Sequence, residues 1–206
     1  MRELAAMGVA GLTAWNVVTQ SAEVTELDRV LVLGAGGGVG IPIVSVASST
    51  GAKVWGQVGT PAKAAAVTEV GASKVLVCDA AGLAEAATSL EPTVVIDALG
   101  GQFTGAALSV MAAGGRMVSY GASAGAEVSI NLPSFYRNGQ RIVGYGGGRL
   151  STEQRRADLA QALAALADGR LRVRVDRVLP LSEVNEAFAL LVARNVSGKL
   201  LLEVRS

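Results

Sequence analysis

Gly34, Gly36, Gly37, Gly38 and Gly40 form the cluster whose type and spacing point most directly to chemistry. Gly34, Gly37 and Gly40 recur in three-residue steps. The apolar, β-branched run Arg29-Val30-Leu31-Val32-Leu33 precedes them, and a helix-compatible run, 41–50, follows at once. The pattern predicts a buried parallel strand, a tight turn and a helix. Glycine lets a backbone approach a ligand closely because no Cβ intervenes. Amides in a helix's first turn lack intrahelical partners and attract anions. The diphosphate of a dinucleotide suits that geometry. A glycine turn that only tightens strand–helix packing is the alternative. The strand–helix alternation downstream favours the ligand. No Gly-Lys-Ser/Thr follows, so a P-loop is excluded.

The second strand selects among dinucleotides. An acidic residue at its end would hold the ribose hydroxyls of NAD. Val54-Trp55-Gly56-Gln57-Val58-Gly59-Thr60 carries none. Lys63 follows in the first turn of the next helix, where a cation is unfavourable unless an anion sits nearby. An adenosine 2′-phosphate would be such an anion, so NADP(H) is expected rather than NAD. A solvated surface lysine is the other reading of Lys63.

Other chemistries are excluded by composition. The 206 residues include no histidine and one cysteine, Cys78. A histidine base, a histidine-containing triad and the usual zinc sets are therefore missing from this chain, and no metal site is expected. No intrachain disulfide can form, which fits a reducing compartment. Tyr120, Tyr136 and Tyr145 are not followed four residues on by lysine, so no tyrosine–lysine pair exists. Asp97 ends a strand, where turn or helix capping is expected over acid catalysis. The net charge of +1 gives no case for nucleic acid or a membrane surface. Arg170, Arg172 and Arg174 alternate with apolar residues and read as a solvated strand face. The apolar stretch after Arg2 superficially resembles a signal peptide, but Thr13, Trp15 and Asn16 interrupt it. An alanine-rich helix over 5–19 and a cytoplasmic location are expected.

These residues need a scaffold. Strands are predicted at 30–33, 53–58, 74–78, 93–97, 116–120 and 141–145. Helices are predicted at 38–50, 61–70, 83–90, 103–111 and 152–167. The alternation predicts an α/β fold: a doubly wound six-stranded parallel sheet of order 3-2-1-4-5-6, with its ligand crevice beside strand 1. A half-exposed strand at 171–175, a helix at 181–193 and a strand at 198–204 read as a short β-α-β appendage. The expected division is a dinucleotide-binding domain over 1–169 and a carboxy-terminal segment over 170–206.

Five motifs recur in one order: Ala10-Gly11-Leu12-Thr13-Ala14-Trp15, the 34–40 turn, Gly56-Gln57-Val58-Gly59-Thr60-Pro61-Ala62-Lys63, Val95-Ile96-Asp97-Ala98-Leu99-Gly100 and Gly114-Gly115-Arg116-Met117-Val118-Ser119-Tyr120-Gly121. With these, the chain resembles the zinc-independent quinone oxidoreductases of the medium-chain dehydrogenase/reductase superfamily. The resemblance implies that Thr13 faces the nicotinamide and that Gly37, Gly38 and Val39 form the pyrophosphate turn. It implies that Gly59 and Lys63 lie around the 2′-phosphate. Leu99, Gly100, Tyr120 and Gly121 would follow the nicotinamide half, and the loop of Tyr145, Gly146 and Gly147 would lie near nicotinamide and substrate. Cys78 falls where such reductases often carry a tyrosine on the adenosine side, which leaves the phosphate clamp incomplete.

The resemblance further implies hydride transfer from NADPH to a small-molecule electron acceptor, an activated carbonyl or conjugated alkene. An enoyl reductase domain of a polyketide synthase and a non-catalytic NADPH-binding module are the alternatives. It also implies an amino-terminal GroES-like catalytic domain in addition to this segment, and a homodimer joined through strand 141–145. No residue of this chain is assigned as a catalytic acid or base.

Overall fold

Alternating residues of the first strand feed two separate apolar layers, and this organises the molecule. The computed structural model describes residues 2–204. Met1 and the last two residues of the expected carboxy-terminal segment lie outside the described residues. In β1 (Arg29–Leu33), Val30 and Val32 enter one core, and Leu31 and Leu33 the other. Successive side chains of a strand point to opposite faces, so a strand covered on both sides must be apolar throughout.

β1 lies between β2 (Lys53–Val58) and β4 (Val94–Asp97). With β3 (Lys74–Val77), β5 (Arg116–Ser119) and β6 (Arg141–Gly144), they form a parallel sheet of order β3-β2-β1-β4-β5-β6. This is the predicted order. One core layer joins the sheet to α1 (Arg2–Asn16), α2 (Gly40–Ser49) and α7 (Thr152–Ala167). The other joins it to α4 (Ala80–Ala87) and α5 (Gly101–Val110).

Several elements depart from the predicted bounds for local reasons. α1 starts earlier, kinks at Gly8 and runs into a π-helical turn, Val17–Ser21. The predicted 61–70 helix is a 3₁₀ turn, Pro61–Lys63, followed by α3 (Ala64–Glu69). α4 begins at Ala80 rather than 83 because Asp79 caps it, accepting from Gly82 N–H at 2.9 Å. α5 likewise starts two residues early. A helix absent from the sequence reading, α6 (Leu132–Arg137), is capped by Asn131, which accepts from Ser134 N–H at 3.1 Å.

The expected strand at 171–175 is not one. Leu171 and Val173 do point inward, into the core beside α1 and α7. The Arg172 N–H, however, donates to Ser45 Oγ at 2.9 Å, so this stretch packs on α2 instead of joining a ladder. Its arginines are drawn off locally: Arg170 pairs with Asp168 at 2.7 Å, and Arg174 with Glu69 at 3.5 Å. β7 (Val175–Pro180) starts where the expected strand ends. It pairs in parallel with β8 (Lys199–Glu203) across α8 (Val184–Val192), which gives the expected β-α-β unit.

An ion pair between half-buried Arg116 and buried Asp28 fastens the end of the sheet opposite its carboxyl ends. Both Arg116 terminal nitrogens donate to Asp28, at 3.2 and 2.8 Å, and Arg116 Nε donates to the Ala22 carbonyl. Thr93 Oγ1, Thr25 N–H and Thr25 Oγ1 also donate to Asp28, at 2.8, 2.9 and 3.1 Å. Burial alone would raise the Asp28 carboxyl. The bonds from Arg116, Thr25 and Thr93 outweigh burial and hold it below the usual aspartate range. Its stabilisation is therefore present above the unfolded aspartate pKa and is lost as pH falls through the lower folded value. Arg116→Ala should cost about 3 kcal/mol at neutral pH. It should also move acid unfolding to higher pH, read by circular dichroism during acid titration. An unchanged acid midpoint would remove this role from the pair.

Candidate functional site

A cleft of about 750 Å³ opens at the carboxyl ends of the strands, beside β1, where the strand order reverses. Ligands of open α/β sheets bind at such a switch point. Its floor is the turn between β1 and α2. Its walls are the ends of β2, β4 and β5, and Leu191 at the end of α8 with the stretch from Ala193 to Gly198 beyond it closes the remaining side.

The turn is built from main chain. Gly34 adopts φ +69°, a conformation that glycine takes without strain. Its carbonyl accepts from Gly37 N–H at 3.0 Å. α2 starts at Gly40, two residues later than the predicted 38. Val39 is its N-cap residue, and no side chain caps the helix among the described residues. Gly37 N–H closes the turn, and Ile41 N–H bonds Gly37 O at 3.1 Å. The amides of Gly36, Gly38, Val39 and Gly40 make no hydrogen bond among the described residues, so Gly38 and Val39 are among the main-chain groups left for an anion. A Cβ on Gly40 would press on the Gly34 carbonyl and stand 2.7 Å from that of Ala35. A Cβ on Gly36 would meet Lys63 Cβ at 2.9 Å, and one on Gly38 would meet Lys199 Cδ at 2.7 Å. The glycines thus let two lysine side chains lie against the turn.

Charge concentrates on one side. Burial lowers the Lys63 pKa, the Arg194 cation lowers it further, and Asp176 partly opposes both. Two cations held near each other in one cleft favour an anion between them. Arg194, at φ +57°, donates to the Ser123 carbonyl at 2.9 Å across the mouth. Gly198 N–H donates to Gly36 O at 3.1 Å, which ties β8 directly to the turn.

Asp97 is fully buried at the end of β4 and caps, as expected. Its carboxylate accepts from Leu99 N–H at 2.7 Å, Gly100 N–H at 3.1 Å and Thr104 Oγ1 at 2.5 Å. That fixes the bend carrying Leu99 into the cleft. Both carboxylate oxygens are engaged by neighbouring groups, which fits capping rather than acid catalysis. Burial and then the Asp97 charge push the Tyr120 hydroxyl above its ordinary range. Burial, then Asp79, pushes the Cys78 thiol up, which disfavours a thiolate nucleophile. Nothing here forms an acid–base pair.

Of the residues singled out from sequence, Gly36, Gly37, Gly38, Val39, Gly59, Lys63, Leu99, Tyr120 and Gly121 line this cleft together. Gly100 sits behind Leu99 at φ +69°, where a Cβ would strike the Gly125 carbonyl. Cys78 lies half-buried past the end of β3, outside the lining. Thr13 is half-buried on α1, also outside it. Tyr145 packs against the first core and over Gly147, with Gly146 exposed beside it; neither residue reaches the cleft lining. Sequence reading missed Gln57, Arg194, Gly198 and Lys199. Their positions depend on strand register and on the return of the carboxy-terminal unit, which no local pattern encodes.

Residues 70–202 match the family profile described as zinc-binding dehydrogenase. The chain belongs to that family, within the medium-chain dehydrogenase/reductase superfamily. It is 29% identical to quinone oxidoreductase 1 of Escherichia coli, over 97% of this chain and 64% of that protein. It is 28% identical to a phenolphthiocerol/phthiocerol polyketide synthase of Mycobacterium tuberculosis, over 98% of this chain and 10% of that one. The quinone oxidoreductase of Thermus thermophilus, solved also with NADPH, superposes with a TM-score of 0.84 at 28% identity, covering 98% of this chain and 66% of that chain. The chain therefore spans about two thirds, or far less, of the length of these relatives. The family's descriptive name implies zinc, and the donor set here does not fit it. The sequence has no histidine, and the described residues contain no group of three cysteine, aspartate or glutamate side chains that could hold a metal.

Proposed function

We propose that this cleft binds NADP(H) and that the chain forms the cofactor-holding part of a reductase acting on a small-molecule electron acceptor. The observation that carries this reading is the glycine turn with bare Gly38 and Val39 amides beside the Lys63 and Arg194 cations. The diphosphate fits the turn, because bare amides at the start of α2 lie in the cleft lining with no side chain capping the helix. The 2′-phosphate fits Lys63, with no acidic residue on β2 to repel it. Arg194 and Lys199 supply further positive charge along the bridge.

The nicotinamide, when bound, supplies the hydride. This chain's residues bind and orient it. Gly121 and Leu99 border the far half of the cleft, and Tyr120, neutral at physiological pH, adds an apolar ring that excludes water. Acceptors with developing oxyanion character, quinones or carbonyl-conjugated alkenes, suit a site that orients and desolvates. The relatives named for quinone reduction support the first. The acryloyl-coenzyme A reductase of Metallosphaera sedula, 30% identical over 88% of this chain, supports a thioester-conjugated alkene as a second reading.

Two surfaces fit partners. On α8, Phe188 and Val192 are 62% and 83% exposed although the helix is almost wholly apolar. A catalytic domain of the kind that would account for the relatives' extra length suits this face, which continues into the cleft through Leu191. β6 is an open edge with Ile142 and Val143 exposed, beside exposed Leu132 and Tyr136 on α6. A second copy pairing along β6 would cover it. A cytoplasmic location agrees with the single cysteine, and no described helix is long and apolar enough to cross a membrane.

Calorimetric titration tests the cofactor assignment. Lys63→Ala should weaken NADPH by about tenfold or more, the size of a lost charge-assisted contact, and should leave NADH nearly unchanged. Equal losses would reject Lys63 as the 2′-phosphate ligand. If NADPH binds but is oxidised by no quinone or enoyl thioester, the chain alone is a binding module. Sedimentation should give a dimer that Ile142→Pro converts to monomer: the amides of Arg141 and Tyr145 donate inward to β5, so by alternation that of Ile142 faces the open edge, and proline removes it. A wild-type monomer would dismiss the β6 contact.

A further inference from the structure

Gln57 is 1% exposed, yet it lies in the floor of the cleft. A strand buried on both faces takes an apolar residue by default, so a buried amide there needs a reason. Its carboxamide is engaged at both ends. Oε1 accepts from Gly34 N–H at 3.1 Å, and Nε2 donates to the Cys78 carbonyl at 2.6 Å. Its own carbonyl accepts from Ala35 N–H at 2.9 Å. One residue of β2 thereby holds the first residue beyond β1 and the first beyond β3.

The geometry explains why an amide is used. At Gly34 the chain leaves the ladder at φ +69°, and Gln57 supplies the acceptor its N–H needs. The Gly34 carbonyl is then aimed at Gly37 N–H, and that bond leaves Gly38 and Val39 facing the cleft. On the other side, Cys78 leads directly into Asp79, the cap of α4. Methionine would match the length of glutamine but leave both main-chain groups without partners. Asparagine keeps both polar atoms but is one methylene too short to bridge them.

We infer that Gln57 is a positioning residue for the dinucleotide's diphosphate: through Gly34 it sets the glycine turn, and through Cys78 it ties that turn to the end of β3. This rests on the NADP(H) reading above. A role in stability alone would lower the melting temperature of a variant without selecting between ligands.

The test compares NADP⁺ with adenosine 2′-monophosphate, which keeps the 2′-phosphate but lacks the diphosphate, on the whole chain well below its melting temperature. Gln57→Met should weaken NADP⁺ about tenfold, as expected when a buried donor and acceptor lose their partners. It should change the monophosphate less than twofold. If Gln57→Met does not fold, Gln57→Asn should show the same selectivity with a smaller loss. Unaltered NADP⁺ affinity, or equal loss of both ligands, overturns the positioning role while leaving the cofactor assignment standing. Failure of the wild-type chain to bind NADP⁺ overturns both.

Discussion

Space for a side chain is missing at Gly40, and the rest of the site is arranged around that constraint. An added Cβ would collide with the carbonyls of Gly34 and Ala35, so the chain can turn this tightly from β1 into α2 only with glycine. The tight turn leaves the Gly38 and Val39 amides at the start of α2, over the crevice between β1 and β4. Gly36 and Gly38 extend the same principle outward, because their missing side chains are where Lys63 and Lys199 lie.

The sheet holds that turn in place from three directions. Below, β1 is buried on both faces and cannot shift without disturbing two cores. Beside it, Gln57 and Asp97 satisfy the main-chain groups where β1, β3 and β4 end, one with an amide and one with a carboxylate. Above, the carboxy-terminal unit returns so that Gly198 bonds Gly36 and Arg194 reaches Ser123. The cleft is therefore shared between the doubly wound sheet and residues far along the chain. The exposed apolar side of α8 continues outward from it.

The fold was legible because its signals are local and repeated. Short apolar runs marked all six strands, four of them followed directly by glycine, and their alternation with helices implied parallel order. The glycine turn and Lys63 were legible for the same reason: a motif and the strand following it lie within thirty residues. Three features were hidden. α6 has only six residues, and its cap, Asn131, follows a stretch without periodicity. The inward–outward alternation at 171–175 was read correctly as burial but wrongly as a strand, since burial periodicity does not say whether a ladder partner is present. Gln57 and Arg194 acquire meaning only through register and chain return, which bring Gly34 to Gln57 across 23 positions and Ser123 to Arg194 across 71.

The most direct measurement follows main-chain ¹⁵N–¹H resonances of the whole chain during titration with NADP⁺. If the start of α2 grips the diphosphate, the Gly38 and Val39 amide protons should move downfield with one saturation curve, the signature of new hydrogen bonds to an anion. Saturable binding that leaves both resonances in place would contradict the account.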